Sequence, residues 1–143
     1  MQLIRSCEPV SHSCFIECSF YPGDGGVKHD VHVFDPRTKH WREAVTVGPS
    51  PSARFRHAAF MREDDQMVVF AGSLSNKAPD LNDAHLLDCS NEPFEWRPVE
   101  SATQPAPRQG HSCVGWDGGR QVVFIAGKVD GKATSDMITL SLQ

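Results

Sequence analysis

The chain lacks any long apolar run. Its longest, MVVFA and VVFIA, are far shorter than the roughly 20 residues a membrane-spanning helix needs. It also lacks a basic block. With 14 Lys and Arg against 18 Asp and Glu, a net charge of -4 and a pI near 5.9, it has no electrostatic footprint for nucleic acid. There is no N-x-[ST] sequon, and the opening MQLIRSCEPVSH has no apolar core of a secretory signal. The five cysteines, Cys7, Cys14, Cys18, Cys89 and Cys113, are an odd set without regular spacing. Reduced thiols are the simplest reading, which predicts a cytoplasmic or nuclear setting. No stretch keeps a helical period between caps, so the expected class is all-β. Nor is there a G-x-S-x-G elbow, a P-loop or an H-E-x-x-H pair. The carboxylates Glu63, Asp64 and Asp65 fall in a turn and read as solvated.

What is present is repetition. The 143 residues, 39% hydrophobic and 22% charged, suit one globular domain. Within them PSARFRHAAFMREDDQMVVFAG, from Pro51, and PAPRQGHSCVGWDGGRQVVFIAG, from Pro105, share one pattern. Arg54 and Arg108 are 54 positions apart, as are His57 and His111. Gly72 and Gly127 differ by 55, Trp41 and Trp96 by 55, and Asp30, Asp83 and Asp136 follow one another at 53. Landmarks agreeing to within two positions, with the slack falling in loops, define a repeat architecture.

Each unit reads as four strands. A Pro-x-x-Arg-x-x-His segment opens a short strand, and a turn rich in Asp and Gly follows. Next comes a β-branched and aromatic strand stopped by Gly, then a third strand (HDVHVFD, NDAHLLD or SDMITLS), then a fourth around Trp41 or Trp96. Central strands apolar on both faces imply sheets stacked face to face, as propeller blades are. A β-sandwich with two similar hairpins is the competing architecture.

These residues resemble the kelch-repeat family, whose pattern is Arg-x-x-His, a hydrophobic strand ending in Gly-Gly, an Asp-bearing third strand and a Trp on the fourth. The resemblance spans residues 27–141 and implies a partial kelch-type β-propeller. Its division is a degenerate partial blade with an N-terminal strand over 1–26, outer strands of the first blade over 27–48, a complete blade over 49–101, and a third blade without its outer strand over 102–143. The double glycine is Ala71-Gly72 and Ala126-Gly127 here, so the first position is expected at negative φ. In the leading unit His12 would match His57, but Pro9 stands in the Arg position. His12 to Asp30 spans 18 positions against 26 from His57 to Asp83, too few for two strands and a loop. Propellers close with about four to eight blades, so the terminal blades are expected to expose apolar surface. A piece of a larger protein, a ring assembled from several chains, and a degenerate remnant each fit. Self-association through the terminal blades is one consequence.

The resemblance implies an interaction module that offers loops to a protein partner, without cofactor, metal or catalysis. Copper radical oxidases built on kelch-like propellers need two tyrosines, and Tyr21 is the single Tyr in the chain. The E-x-x-x-D-x-x-x-H iron pattern of plant specifier proteins is also missing. Cys7, His12, Cys14 and Cys18 lie near one another, but their spacing matches no usual zinc knuckle. The candidate partner-binding residues are Arg54, Arg108, Lys77, Trp116, Lys128 and Lys132. For the two arginines the alternatives are a clamp on a partner's carboxylate or phosphate and a structural bond to a carbonyl or neighbouring Asp. His57 and His111 are expected to be satisfied by backbone groups. Trp41 and Trp96, with Gly72, Gly127, Asp83 and Asp136, are repeat landmarks, the tryptophans packing between blades. The loops 73–82 and 128–135, with the connections 42–53 and 97–107, vary between copies, as recognition loops do.

Overall fold

The computed structural model describes residues 13–15, 29–100 and 104–142. Sheets follow one another along the chain. The first holds β1 (Ser13–Phe15), β2 (His32–Asp35) and β3 (His40–Glu43), in that spatial order. The second holds β4 (Thr46–Val47), β5 (Ala58–Met61), β6 (Gln66–Ser73), β7 (Asp80–Asp88) and β8 (Phe94–Val99), ordered β4-β8-β7-β6-β5. Beyond it come β9 (Ser112–Trp116), β10 (Gln121–Ile125), a small hairpin of β11 (Lys128–Val129) and β12 (Lys132–Ala133), and β13 (Met137–Ser141). The third sheet is ordered β13-β10-β9. A single 3-10 turn at Asp117–Gly119 is the one helical piece among the described residues. The architecture is a partial β-propeller.

The central strand β6 shows why the sheets stack. Side chains alternate between faces along a strand. Met67 and Val69 point one way and pack with Val31, Val33, Ala44, Leu87 and Trp96, joining the first two sheets. Val68 and Phe70 point the other way and pack with Phe60, Val122, Phe124, Leu140 and Leu142, joining the second and third. The Phe70 and Phe124 rings stack at 4.0 Å across this joint. Both faces of the second sheet are thus covered, which is why MVVFA carries no polar residue.

Four features depart from the sequence expectations. The complete unit has a fifth strand, because the chain leaving the first sheet runs parallel to β8, Thr46 opposite Phe94 and Val47 opposite Glu95. Gly48, at φ +82, makes that passage possible, since a Cβ there would collide with the backbone oxygen of Trp96. Second, the strand after His12 does not take the innermost place that matching His12 to His57 implies. β1 pairs directly with β2, Cys14 opposite Val33, as Val68 of β6 lies opposite Leu86 of β7. It fills the second-strand position, as the shortened spacing forces. His12 itself, Cys7 and Cys18 lie outside the described residues. Third, residues 128–135 are not a plain loop, because β11 and β12 form a hairpin around Asp130 and Gly131, at φ 51 and 74, the left-handed pair a tight hairpin turn requires.

The fourth concerns the tryptophans. Trp96 is 2% exposed and belongs to the joint with the first sheet, whereas Trp41 is 46% exposed. The two occupy equivalent places in their own sheets: Trp96 pairs with Leu87 and Trp41 with Phe34. They differ because Trp96 faces a neighbouring sheet, while Trp41 is on the outward face of the first sheet. Among the described residues, packing between blades is seen for Trp96, while Trp41 meets the Phe34 ring of its own sheet at 5.0 Å.

Candidate recognition surface

The second and third units are each locked where their first strand begins. Arg54, 1% exposed, donates from its two terminal nitrogens to the two carboxylate oxygens of Asp83 at 2.7 and 2.8 Å. It also donates to the Ala71 carbonyl at 3.1 Å and the Ser52 carbonyl at 3.1 Å. Arg108, fully buried, repeats this with Asp136 at 3.1 and 3.0 Å, the Ala126 carbonyl at 3.2 Å and the Ala106 carbonyl at 3.4 Å. The planar guanidinium suits such a fork. Its donors are turned onto the third strand and the leading loop of its own unit. Neither arginine therefore offers its head group outward as a clamp on a partner's carboxylate or phosphate. Burial alone would raise the Asp83 carboxyl, but hydrogen bonds from Arg54 and His85 outweigh it and hold that group well below the usual carboxylate range. The bond from Arg108 likewise lowers Asp136.

The carbonyls that receive these arginines belong to residues in an unexpected conformation. Ala71 and Ala126 have φ of 56 and 59, so the expectation of negative φ is corrected. The left-handed turn aims the Ala carbonyl at the guanidinium, and the glycine after it must be bare. A Cβ on Gly72 would lie 2.8 Å from the Phe55 oxygen and 2.9 Å from the His57 nitrogen, and one on Gly127 would lie 2.8 Å from the Gln109 oxygen.

His57 and His111 are also corrected. Nδ1 of His57 and both ring nitrogens of His111 are buried without a hydrogen-bond partner among the described residues. The His111 ring instead meets Phe70 and Phe124 edge-on, at 5.5 and 5.7 Å. Burial, then the nearby Arg54 or Arg108 charge, pushes both imidazoles down to about 4. They are neutral packing groups at pH 7.

The lysines lie elsewhere. Lys77 is exposed in the loop between β6 and β7, beside Leu74, and Lys128 and Lys132 are exposed on the β11–β12 hairpin. All three sit on connections at the Arg-His end of the inner strands. Trp116, 64% exposed, is at the opposite end, where β9 turns into β10, so the structure does not bring it to the lysines.

Sequence reasoning missed a polar seam between the second and third units at that same end. Arg56, exposed and at φ 55, donates to the Gln109 side chain at 2.8 Å, and Gln109 donates to Asp80 at 2.7 Å. The Arg56 guanidinium lies 5.2 Å from the Phe55 ring centre. Asn82 donates to the Pro105 carbonyl at 3.2 Å, and backbone bonds run from Gly110 to Arg56 and from Gly72 to Arg108. These positions differ between copies: Arg56 corresponds to Gly110 and Phe55 to Gln109. That divergence was the available signal. Among the described residues no group of three or more His, Cys, Asp or Glu side chains is placed to hold a metal ion.

Stacked sheets, the second and third each tied by an Arg–Asp fork to an Ala-Gly turn, define a repeat propeller. The description KLHDC2/KLHL20/DRC7 Kelch-repeats domain matches residues 15–143, and the chain belongs to this kelch-repeat family. It is 33% identical over 120 residues to Acyl-CoA-binding domain-containing protein 4 of Arabidopsis thaliana, covering 80% of this chain and 16% of that protein. It is 31% identical over 113 residues to the Rab9 effector protein with kelch motifs of Bos taurus, covering 78% and 29%. Similarity to serine/threonine-protein phosphatase BSL2 of Arabidopsis thaliana is 32% over 108 residues, covering 75% and 10%. The chain thus spans less than a third of the length of each of these relatives.

Proposed function

We propose that this chain is a protein-binding module that recognises its partner through the connections at the Arg-His end of the second and third sheets. Leu74, Lys77, Lys128, Lys132 and the exposed Arg56 are its contact residues, and it works without cofactor or catalysis of its own. The observation that carries this is the division of labour within each unit. The repeated polar residues are consumed internally, Arg54 on Asp83 and Arg108 on Asp136, while the residues that differ between copies stand exposed at the same end. A rigid sheet holding variable loops is the usual platform for binding. The relative named as a Rab9 effector supports a protein partner.

The test is chemical crosslinking of the tagged chain in cells, comparing wild type with Lys77→Glu/Lys128→Glu/Lys132→Glu. Loss of a specific crosslinked protein, with the thermal melt unchanged, is expected. An identical crosslinking pattern overturns the assignment of these loops. A second reading, a structural remnant without binding of its own, draws on the exposed Val114, Trp116 and Met137 of the third sheet, and it predicts a non-cooperative melt. We further propose that the module works in a reducing compartment, cytoplasmic or nuclear, in keeping with Cys113, whose sulfur is not in a disulfide. Localisation of a fluorescent fusion to a secretory compartment would overturn that.

A further inference from the structure

Arg56 stands where the backbone of the repeat favours glycine. Its counterpart in the third unit is Gly110, and each lies two positions after a fork arginine, Arg54 or Arg108. Both residues are left-handed, Arg56 at φ 55 and Gly110 at φ 64. Glycine adopts that conformation freely, whereas arginine does so rarely and at a cost. The Arg56 carbonyl accepts the Gly110 N–H at 2.8 Å, a bond that glycine at position 56 would accept equally well. What arginine adds is its side chain, and strain of this kind collects at functional sites.

That side chain is held without being used up. Its Nη1 donates to the Gln109 side chain at 2.8 Å, and Gln109 is fixed in turn by donating to Asp80 at 2.7 Å. The Phe55 ring backs the guanidinium, with its centre 5.2 Å from the central carbon. Among the described residues, neither Nε nor Nη2 of Arg56 donates to a partner. That edge carries two parallel N–H groups, the geometry that takes both oxygens of one carboxylate. Asp83 and Asp136 are already matched to Arg54 and Arg108. The exposed Lys77, Lys128 and Lys132 share the same end, so an acidic partner is the one their charge draws in.

We propose that Arg56 is a specificity-determining residue of the recognition end. Its Nε–Nη2 edge grips the side-chain carboxylate of an Asp or Glu in an acidic segment of the protein partner. The fold gives up stability at position 56 to keep that edge in place. This rests on the protein-binding reading above and adds to it the chemistry of the partner.

The test uses a random octapeptide library whose C-termini are fused to the carrier, so that side-chain carboxylates are the ones on offer. Wild type is expected to enrich peptides with Asp or Glu at one fixed position. Changing that residue to Asn or Gln in the amidated synthetic peptide should weaken binding at least about tenfold by fluorescence anisotropy. Arg56→Gly should lose the acidic preference, while its thermal midpoint is unchanged or raised by a few degrees. Arg56→Lys keeps the charge and the backbone strain but not the fork, so its melt should match wild type and its acidic preference should be weaker. The same acidic enrichment in Arg56→Gly overturns the proposal. A lowered midpoint in that variant overturns it too, in favour of a structural tie between the units. Enriched peptides with no acidic position, whose binding is lost in Lys77→Glu/Lys128→Glu/Lys132→Glu, overturn it and leave the protein-binding reading standing. Failure to enrich any peptide counts against both.

Discussion

Arg54 and Asp83, 29 positions apart in sequence, close on one another through two parallel hydrogen bonds of 2.7 and 2.8 Å. The arginine is 1% exposed, but the Asp83 side chain is 40% exposed, so the pair sits at the rim of the sheet. Removing one partner of a buried pair costs about 3–5 kcal/mol, and the exposure of Asp83 lowers that through solvent screening. Arg54→Ala is expected to cost about 3 kcal/mol, because the Ala71 and Ser52 carbonyls lose their donor too. Arg54→Lys should recover little, since a point ammonium cannot span both carboxylate oxygens. Urea denaturation measures both, and full rescue by Lys would show that charge alone suffices.

The Ala126-Gly127 pair predicts opposite signs for two one-carbon changes. A left-handed φ costs a non-glycine residue about 1–2 kcal/mol, and glycine returns part of that through a more flexible unfolded chain. Ala126→Gly should therefore stabilise by about 0.5–1 kcal/mol. Gly127→Ala puts a methyl 2.8 Å from the Gln109 oxygen at φ +101 and should destabilise by about 2 kcal/mol or more. Equal effects in thermal melts would contradict this geometry.

The buried imidazoles set an acid limit. His57 and His111 are pushed down to about 4, chiefly by burial, from an ordinary value of 6.5. The unfolded chain then binds protons more readily than the folded one between those values. Their neutral packing is fully stabilising above pH 6.5 and is lost progressively as pH falls toward 4. At 1.36 kcal/mol per pKa unit, each loses on the order of 3 kcal/mol by pH 4. The lowered carboxyls of Asp83 and Asp136 lose their contribution below the ordinary carboxylate range, so the two effects separate along the pH axis. Urea midpoints at pH 7.5, 6, 5 and 4 should decline most between the last three, and His111→Phe should roughly halve the slope.

Much of this was legible because the repeat writes it twice. The two-sided burial of β6 follows from MVVFA, and Asp83 and Asp136 could be matched to Arg54 and Arg108 by offset. What could not be read depends on neighbours rather than on the unit. Trp41 and Trp96 hold the same place in their sheets and differ in exposure by what stands opposite them. The place of β1 follows from the short spacing of 18 positions between His12 and Asp30, and β4 exists because the crossing chain runs beside an outer strand. The histidines look like hydrogen-bonding groups until Phe70 and Phe124 are set against His111. The Arg56–Gln109–Asp80 seam has no repeat image, so only the folded loops bring those three together.

The tryptophans give a test that separates fold from surface. Trp96 is 2% exposed at the joint of the first and second sheets, with His85 edge-on at 6.5 Å, whereas Trp116 is 64% exposed beside a turn. Truncating a buried aromatic costs about 3–5 kcal/mol, while most surface substitutions stay within about 0.5 kcal/mol. Trp96→Ala should therefore unfold the chain or lower its urea midpoint steeply, and Trp116→Ala should barely move it. Iodide gives the same answer without a destabilised variant. In Trp41→Phe/Trp116→Phe, which leaves Trp96 as the lone indole, emission should be blue-shifted and shielded from quenching until the chain unfolds. Free quenching of Trp96 in the native state would mean that the first sheet does not cover the second, and the stacked arrangement would fall with it.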